Sequence, residues 1–377
     1  MKPDSPRKYP VGAHPDLPPP VNTTGPMAWM RINLFSSPLN TALTFLSLWI
    51  LWTVFPPFLD WAILESIWSA TDRKDCWAKM PNPREGACWA FIRGSFEFFV
   101  YGWFPDTEKW RVNLSFILLI LAIVGVLKER IPGKKYWLWF ASAFPFVAAW
   151  LLIGGFGFEY VETSKLGGIL LTIIIGITGI SFSLPIGIVL ALGRRSNMPA
   201  LRSVCVIFIE FIRGVPLITL LFVASTMLTY FLPPGSTFDL LMRVLIMVTL
   251  FSSAYIAEVV RGGLQGLSTG QYEAADSLGL TYWKAHRLII LPQALKISIP
   301  GIVNTFIGLY KDTTLVLIIG MMDIVGLGRA RLNDPEWLGL APELYFFIAF
   351  FFFLCCFSMA RYSLNLENKL STNRLNT

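Results

Sequence analysis

Residues 268–294 read Ser-Thr-Gly-Gln-Tyr-Glu-Ala-Ala-Asp-Ser-Leu-Gly-Leu-Thr-Tyr-Trp-Lys-Ala-His-Arg-Leu-Ile-Ile-Leu-Pro-Gln-Ala. The pattern predicts two short helices joined by a tight turn. Ser268 with Gln271 has the spacing of a capping box. Gly279 stands where a left-handed residue ends the first helix. Thr281 is placed to cap the second, and Pro292 to stop or bend it. Ala274 and Ala275 form a small-residue face that another surface could approach closely. A connection this long and this structured is rarely a plain loop. It either presents a rigid knob to a partner or lies as an amphipathic helix on a leaflet.

What flanks it decides the fold class. The 377-residue chain is 54% hydrophobic and 15% charged, far from the quarter charged residues of an ordinary soluble domain. Eight apolar segments stand near 40–62, 113–127, 136–156, 167–192, 203–231, 239–262, 298–324 and 342–362, each near the length that spans a bilayer. The reading is an all-α polytopic membrane protein of about eight transmembrane helices. The second segment is short. The fifth contains Arg213, Gly214 and Pro216, which predicts a broken helix. Residues 1–38 are rich in proline and lack an apolar signal core, and read as a disordered tail. The histidines, His14 and His286, are far apart, so no zinc spacing forms, and no phosphate-loop or hydrolase motif occurs. Catalytic and metal residues are therefore expected to be none.

With the N-terminus inside, inner segments carry 18 Lys and Arg and outer loops ten. The positive-inside rule then puts both termini in the cytoplasm. The outer loop 65–111 is long and aromatic, and repeats Cys76-Trp77-Ala78 as Cys88-Trp89-Ala90. In an oxidising compartment a Cys76–Cys88 bridge is the expectation, against two unpaired thiols in a compact loop. Two copies of one pattern, Glu210-x-x-Arg213 and Glu258-x-x-Arg261, read as ion pairs within single helices. Lys311 and Asp312 fall near the middle of the seventh segment. Neighbours on a helix point about 100° apart, so at least one of the two needs a cavity or another helix.

Glu273-Ala274-Ala275, Gly279 and Leu291-Pro292-Gln293-Ala294 together resemble the EAA loop of ABC importer permeases, in the polar amino-acid uptake branch. Glu210-Phe-Ile-Arg-Gly-Val-Pro216, Ala254-Tyr-Ile-Ala-Glu-Val-Val-Arg-Gly-Gly263 and Lys311-Asp-Thr-Thr-Leu315 resemble motifs of the same branch, with Thr314 in place of a serine. The match covers about residues 165–363. The resemblance implies an organisation of four parts. They are the tail 1–38, three extra spans over 39–160, a permease core over 161–365 with its coupling loop 266–295, and a cytoplasmic C-tail 366–377. The extra spans resemble the extended permease subunits of general L-amino-acid importers.

The resemblance also implies a role: a permease subunit of an ATP-driven importer in the bacterial inner membrane, moving L-amino acids from periplasm to cytoplasm. Broad, or acidic and amide, specificity is expected. The implied partners are a cytoplasmic ABC ATPase dimer, which holds ATP and Mg, a second homologous permease and a periplasmic amino-acid binding protein. No cofactor is expected on this chain, and nucleic acid is not an expected partner. Glu273, Ala274, Ala275, Gly279 and Pro292 would couple to the ATPase. Ser253, Glu258, Asn304, Thr305, Lys311 and Asp312 would line the substrate path. The alternative is an ion-coupled secondary transporter with Glu258, Lys311 and Asp312 as its relay.

Overall fold

The computed structural model describes residues 25–81, 85–128, 130–155, 157–231, 233 and 238–375. The first 24 residues of the expected tail lie outside them. Fifteen α-helices are described: α1 Pro26–Asn33, α2 Pro38–Leu59, α3 Arg73–Lys79, α4 Trp89–Tyr101, α5 Lys109–Leu127, α6 Lys134–Ile153, α7 Gly168–Arg194, α8 Pro199–Gly214, α9 Leu217–Phe222, α10 Leu240–Gln265, α11 Thr269–Ser277, α12 Tyr282–Ala285, α13 Leu291–Asp312, α14 Ile324–Leu332 and α15 Ala341–Leu375. Short 3-10 and π turns join several of them. Among the described residues seven segments are long and apolar enough to span a membrane, and a bent pair makes an eighth.

By contact the chain divides into residues 1–67 with 77–87, and residues 68–76 with 88–377. In the first unit, residues 26–33 belong to helix α1 rather than to the expected disordered tail. Ser37 caps α2 by accepting the Asn40 N–H, and Pro38 sits in its first turn, where a missing N–H costs nothing. Helix α2 is apolar on every face and buries none of its residues, the pattern of a span bathed in lipid.

In the second unit α7 and α10 form the central pair. Gly187 allows their close approach, because a Cβ there would stand 2.5 Å from Ile256 Cγ2. Small residues at such crossings are the usual device of membrane helices. One cluster, including Leu171, Ile175, Val244, Leu309 and Val316, fills the end near α14. Another, with Ala191, Ile256, Val260, Ile290 and Ala294, fills the end near α11.

The fifth apolar segment is broken as its Gly214-Val215-Pro216 run predicts: α8 and the following helix bend by 102°. Arg243 of α10 is buried there and donates to the carbonyls of Ala224 and Ser225, at 2.9 and 2.8 Å. A cation thus serves carbonyls in the π turn Val223–Met227, where the regular α ladder is interrupted beyond the bend. The second span is longer than expected, Asp106–Leu127, because Arg111 is absorbed rather than excluded. Its guanidinium donates to the carbonyls of Leu151 and Glu159 and pairs with Glu108. Residues 366–375, expected as a tail, continue α15.

The segment expected as an outer loop is largely helical. Within the second unit α4 packs on α7, α14 and α15. Phe91 meets Trp337 at 5.6 Å, and Phe99 stacks on Phe347 at 5.8 Å. Arg331 Nε donates to Ser95 Oγ, and the Cys88 N–H donates to the buried Glu343 carboxylate at 3.0 Å. Cys76 and Cys88, both fully buried, are joined by a disulfide.

Candidate functional site

Helix α11 closes with two backbone bonds, Gly279 N–H to Asp276 O and Leu280 N–H to Ala275 O. That pair defines a Schellman end, and it requires the left-handed φ of +66° at Gly279. Ser268 occupies the N-cap position, but its side chain makes no capping bond. The expected capping box is absent because Gln271 Oε1 is taken by the Gln293 amide of α13, at 2.9 Å. Thr281 likewise holds the N-cap position of α12 without a side-chain bond.

Pro292 neither stops nor bends the chain. It sits in the first turn of α13, directly after a π turn at His286–Ile290. The ring leaves no N–H for a carbonyl four residues back, and the wider turn absorbs the mismatch. The seventh span is therefore continuous over Tyr282–Ile319.

Three ties fix this knob to the membrane helices. Gln293 joins α11 to α13. Tyr272 Oη donates to the Leu264 carbonyl at the end of α10. Arg195, the C-cap of α7, bonds Tyr272 Oη at 3.0 Å and stacks over its ring. Of the expected alanine face only Ala274 points outward; Ala275 is packed inside the chain. Glu273, Ala274, Gly279, Leu278 and Trp283 are exposed, the last two at 72% and 71%. Sequence reasoning missed Arg195, Tyr272 and Gln293. The Arg194-Arg195 pair at a helix C-terminus, where cations are favoured, was the available signal.

Just within the membrane from this knob the charges form a network between helices. Glu258 of α10 meets Arg194 of α7 at 2.7 Å, Arg213 of α8 at 3.5 Å and Arg261 of its own helix at 2.8 Å. The Glu258–Arg261 pair is intrahelical as expected. The Glu210–Arg213 pair is not formed: Glu210 turns to Arg194, at 2.8 Å. Arg194 enters from α7, which no periodicity within α8 could reveal.

The substrate-path candidates separate. Ser253 is fully buried and donates to the Thr249 carbonyl, away from any open face. Glu258 belongs to the arginine network. Asn304 and Lys311 are exposed on α13, and Gly308 between them has open space where a Cβ would stand. Spacings of four and three put these residues on one stripe. Thr305 bonds back to Gly301 O, and Asp312 is half-buried. Lys311 and Asp312 close α13, where it tightens into the 3-10 segment Thr313–Ile319; they are not in mid-helix as the span count implied.

An ion-coupled relay finds no support in this arrangement, because Glu258 is held by three guanidinium groups. Among the described residues no cluster of His, Cys, Asp and Glu could hold a metal.

At the opposite end, Asp323 caps α14 by accepting the Gly326 N–H at 2.9 Å. It is completely buried, and burial pushes its carboxyl up to about 6, against the pull of the Gly326 and Val325 N–H groups and Arg329.

Comparison with known proteins agrees with this architecture. Residues 183–372 match the family described as binding-protein-dependent transport system inner membrane component. The inner membrane amino-acid ABC transporter permease protein YhdY of Escherichia coli is 48% identical over 96% of this chain and 98% of its own. The glutamate/glutamine/aspartate/asparagine transport system permease protein BztC of Rhodobacter capsulatus is 44% identical over 94% and 95%. A crystal structure of an amino acid ABC transporter with histidines covers 54% of this chain and 92% of that one, at 28% identity and TM-score 0.48. The chain belongs to this family: it is a multi-pass inner-membrane permease subunit of the polar amino-acid ABC importers, and not itself the ATPase.

Proposed function

We propose that this chain forms one half of the membrane pathway of an importer for L-amino acids with acidic or amide side chains, or for a broad set that includes them. The observation that carries the reading is the tied, outward-facing knob of α11 and α12. Its exposed Leu278, Tyr282 and Trp283 are large apolar or aromatic groups on a surface otherwise built of polar and small residues. That is the signature of a partner surface. In this reading the partner is a cytoplasmic ATPase dimer, which holds ATP and Mg, and the charge bias of the loops supports both termini in the cytoplasm. Motion of the ATPase reaches α7, α10 and α13 through Arg195, Tyr272 and Gln293.

A second homologous permease completes the pathway, and a periplasmic binding protein delivers the amino acid. The Asn304–Gly308–Lys311 stripe, flanked by Thr305 and Asp312, faces that pathway. A zwitterion brings a carboxylate for Lys311 and an ammonium for Asp312, and each charge is costly in a membrane without a counter-charge. The relative from Rhodobacter capsulatus, named for glutamate, glutamine, aspartate and asparagine, supplies the side-chain class.

Purification of this chain in mild detergent from its native membrane tests the reading. An ATPase and a second permease should co-purify, and uptake in vesicles should need ATP. A chain that comes out alone and transports without ATP overturns it.

A further inference from the structure

A cavity of about 520 Å³ lies between the α5–α6 hairpin and the α7–α10 pair. Its wall is almost wholly apolar, with Leu119, Leu152, Ile174 and Leu245 among its side chains. Along α7 it reaches from Leu170 to Ile186, roughly 24 Å at the helical rise per residue, and along α10 from its N-cap Asp239 to Leu250, roughly 16 Å. Those lengths lie between one leaflet and the full ~30 Å hydrocarbon core. Phe146 meets Phe182 edge-on at 5.8 Å at the end away from Asp239. The one charged group of its lining, Asp239, stands at the other end with Tyr160 and Thr163, at the ends of spans, while Thr178 and Thr249 lie further along α7 and α10. There Thr163 donates to Asp239, which also caps α10 through the Met242 N–H.

We propose that this cavity is a lipid site, holding one acyl chain of an amine-headed phospholipid, with its ammonium at the Asp239 mouth. The solvent around these helices is hydrocarbon, so an apolar slot open to it at this depth fills with acyl chain rather than water. The mouth carries a carboxylate, and Glu159 and Glu162 in the adjoining segment outnumber Lys165. That balance favours a zwitterionic headgroup that presents an ammonium over a net anionic one. The lipid would wedge the extra hairpin to the core. The assignment rests on the membrane fold alone and is independent of the amino acid carried.

The test uses the full chain in native membranes. A phosphatidylethanolamine with a diazirine midway along one acyl chain is cross-linked and the labelled residues are mapped. Labels on Leu152, Ile174 or Leu245 are expected, beside those on lipid-bathed α2. Labels on α2 and other outer faces alone overturn the site. Ala148→Trp fills the slot, and native mass spectrometry should then show the retained lipid falling at least fivefold. Unchanged retention in a folded Ala148→Trp protein overturns the proposal, as does capture of a protein helix by the slot. Asp239→Asn keeps the cap, since asparagine caps as well as aspartate. It should at least halve the ratio of retained phosphatidylethanolamine to phosphatidylglycerol; an unchanged ratio overturns the headgroup assignment.

Discussion

Gly279 shows how much a single position settles. Its φ of +66° sits in open space, so a side chain there meets no neighbour and only the backbone is strained. A β-branched residue pays about 1–2 kcal/mol in that region, whereas asparagine tolerates it. Gly279→Val should therefore loosen the turn between α11 and α12 and cut ATP-driven uptake several-fold, with Gly279→Asn close to wild type. Uptake in reconstituted vesicles, normalised to inserted protein, checks the order; equal activity in both variants would remove the turn from the coupling path. Glycine could be assigned from sequence because its conformational freedom is local. Ala275 could not be told from Ala274, since which of two adjacent alanines is buried depends on how α11 lies on the membrane helices. Asp323 carries a second prediction at this scale. Its folded carboxyl titrates near 6 rather than 3.8, so the native state holds its proton longer than the unfolded chain does. Stability through this group falls as pH rises from about 4 to about 6 and is level above that. Asparagine keeps the cap without the buried charge. Asp323→Asn should be at least as stable as wild type at pH 7 and should lose the extra stability that wild type gains on going to pH 5. Thermal unfolding in detergent at the two pH values measures both; a destabilised Asp323→Asn at pH 7 would mean the ionised group is needed.

Among the elements, α7, α8 and α10 are joined by charge beside the knob. The i, i+3 pattern was legible in both Glu210–Arg213 and Glu258–Arg261, and it describes one pair only. The other was redirected by Arg194, whose approach depends on how α7 crosses α10, and no spacing in the sequence encodes that. Glu258, 14% exposed, serves three arginines from three helices; Glu210, 53% exposed, serves one. Removing the carboxylate of a mostly buried pair leaves cations uncompensated and costs roughly 3 kcal/mol, by the behaviour of buried pairs. An exposed pair contributes below about 1 kcal/mol. Glu258→Gln should thus lower the unfolding midpoint strongly and Glu210→Gln barely, with Glu258→Asp between them. A Glu210→Gln protein as unstable as Glu258→Gln would show that Arg194, not Glu258, is the centre of the network. The broken α8–α9 span, by contrast, was legible, because proline and glycine act on their own backbone. The start of α13 was not, because a π turn absorbed Pro292.

Over the whole molecule, two fastenings sit at opposite ends of the bundle. At one, the arginine network and the Tyr272 ties hold the helix ends beside the knob. At the other, α4 is held by its ring stack, by Glu343 and by the Cys76–Cys88 disulfide. The eight-span layout could be counted from hydropathy, and the cysteine pairing was expected from the placement of loop 65–111 in an oxidising compartment. That α4 is a helix docked on α7, α14 and α15 was hidden, because its ring partners, Trp337, Phe346 and Phe347, lie some 250 residues later. Cross-linking residues 12 apart restricts the unfolded chain by about 3 kcal/mol. Cys76→Ala with Cys88→Ala should lose about that much while leaving the arginine network in place. The two fastenings share no side chain, and distant sites add to within about 0.5 kcal/mol. The triple variant with Glu258→Gln should therefore be destabilised by the sum of the separate effects. A shortfall or excess beyond that margin, read from unfolding midpoints of all three proteins, would mean that α7 and α10, the helices spanning both ends, transmit strain between them. Such coupling is what alternating access would draw on, so its size in the resting protein is worth measuring at the two ends together.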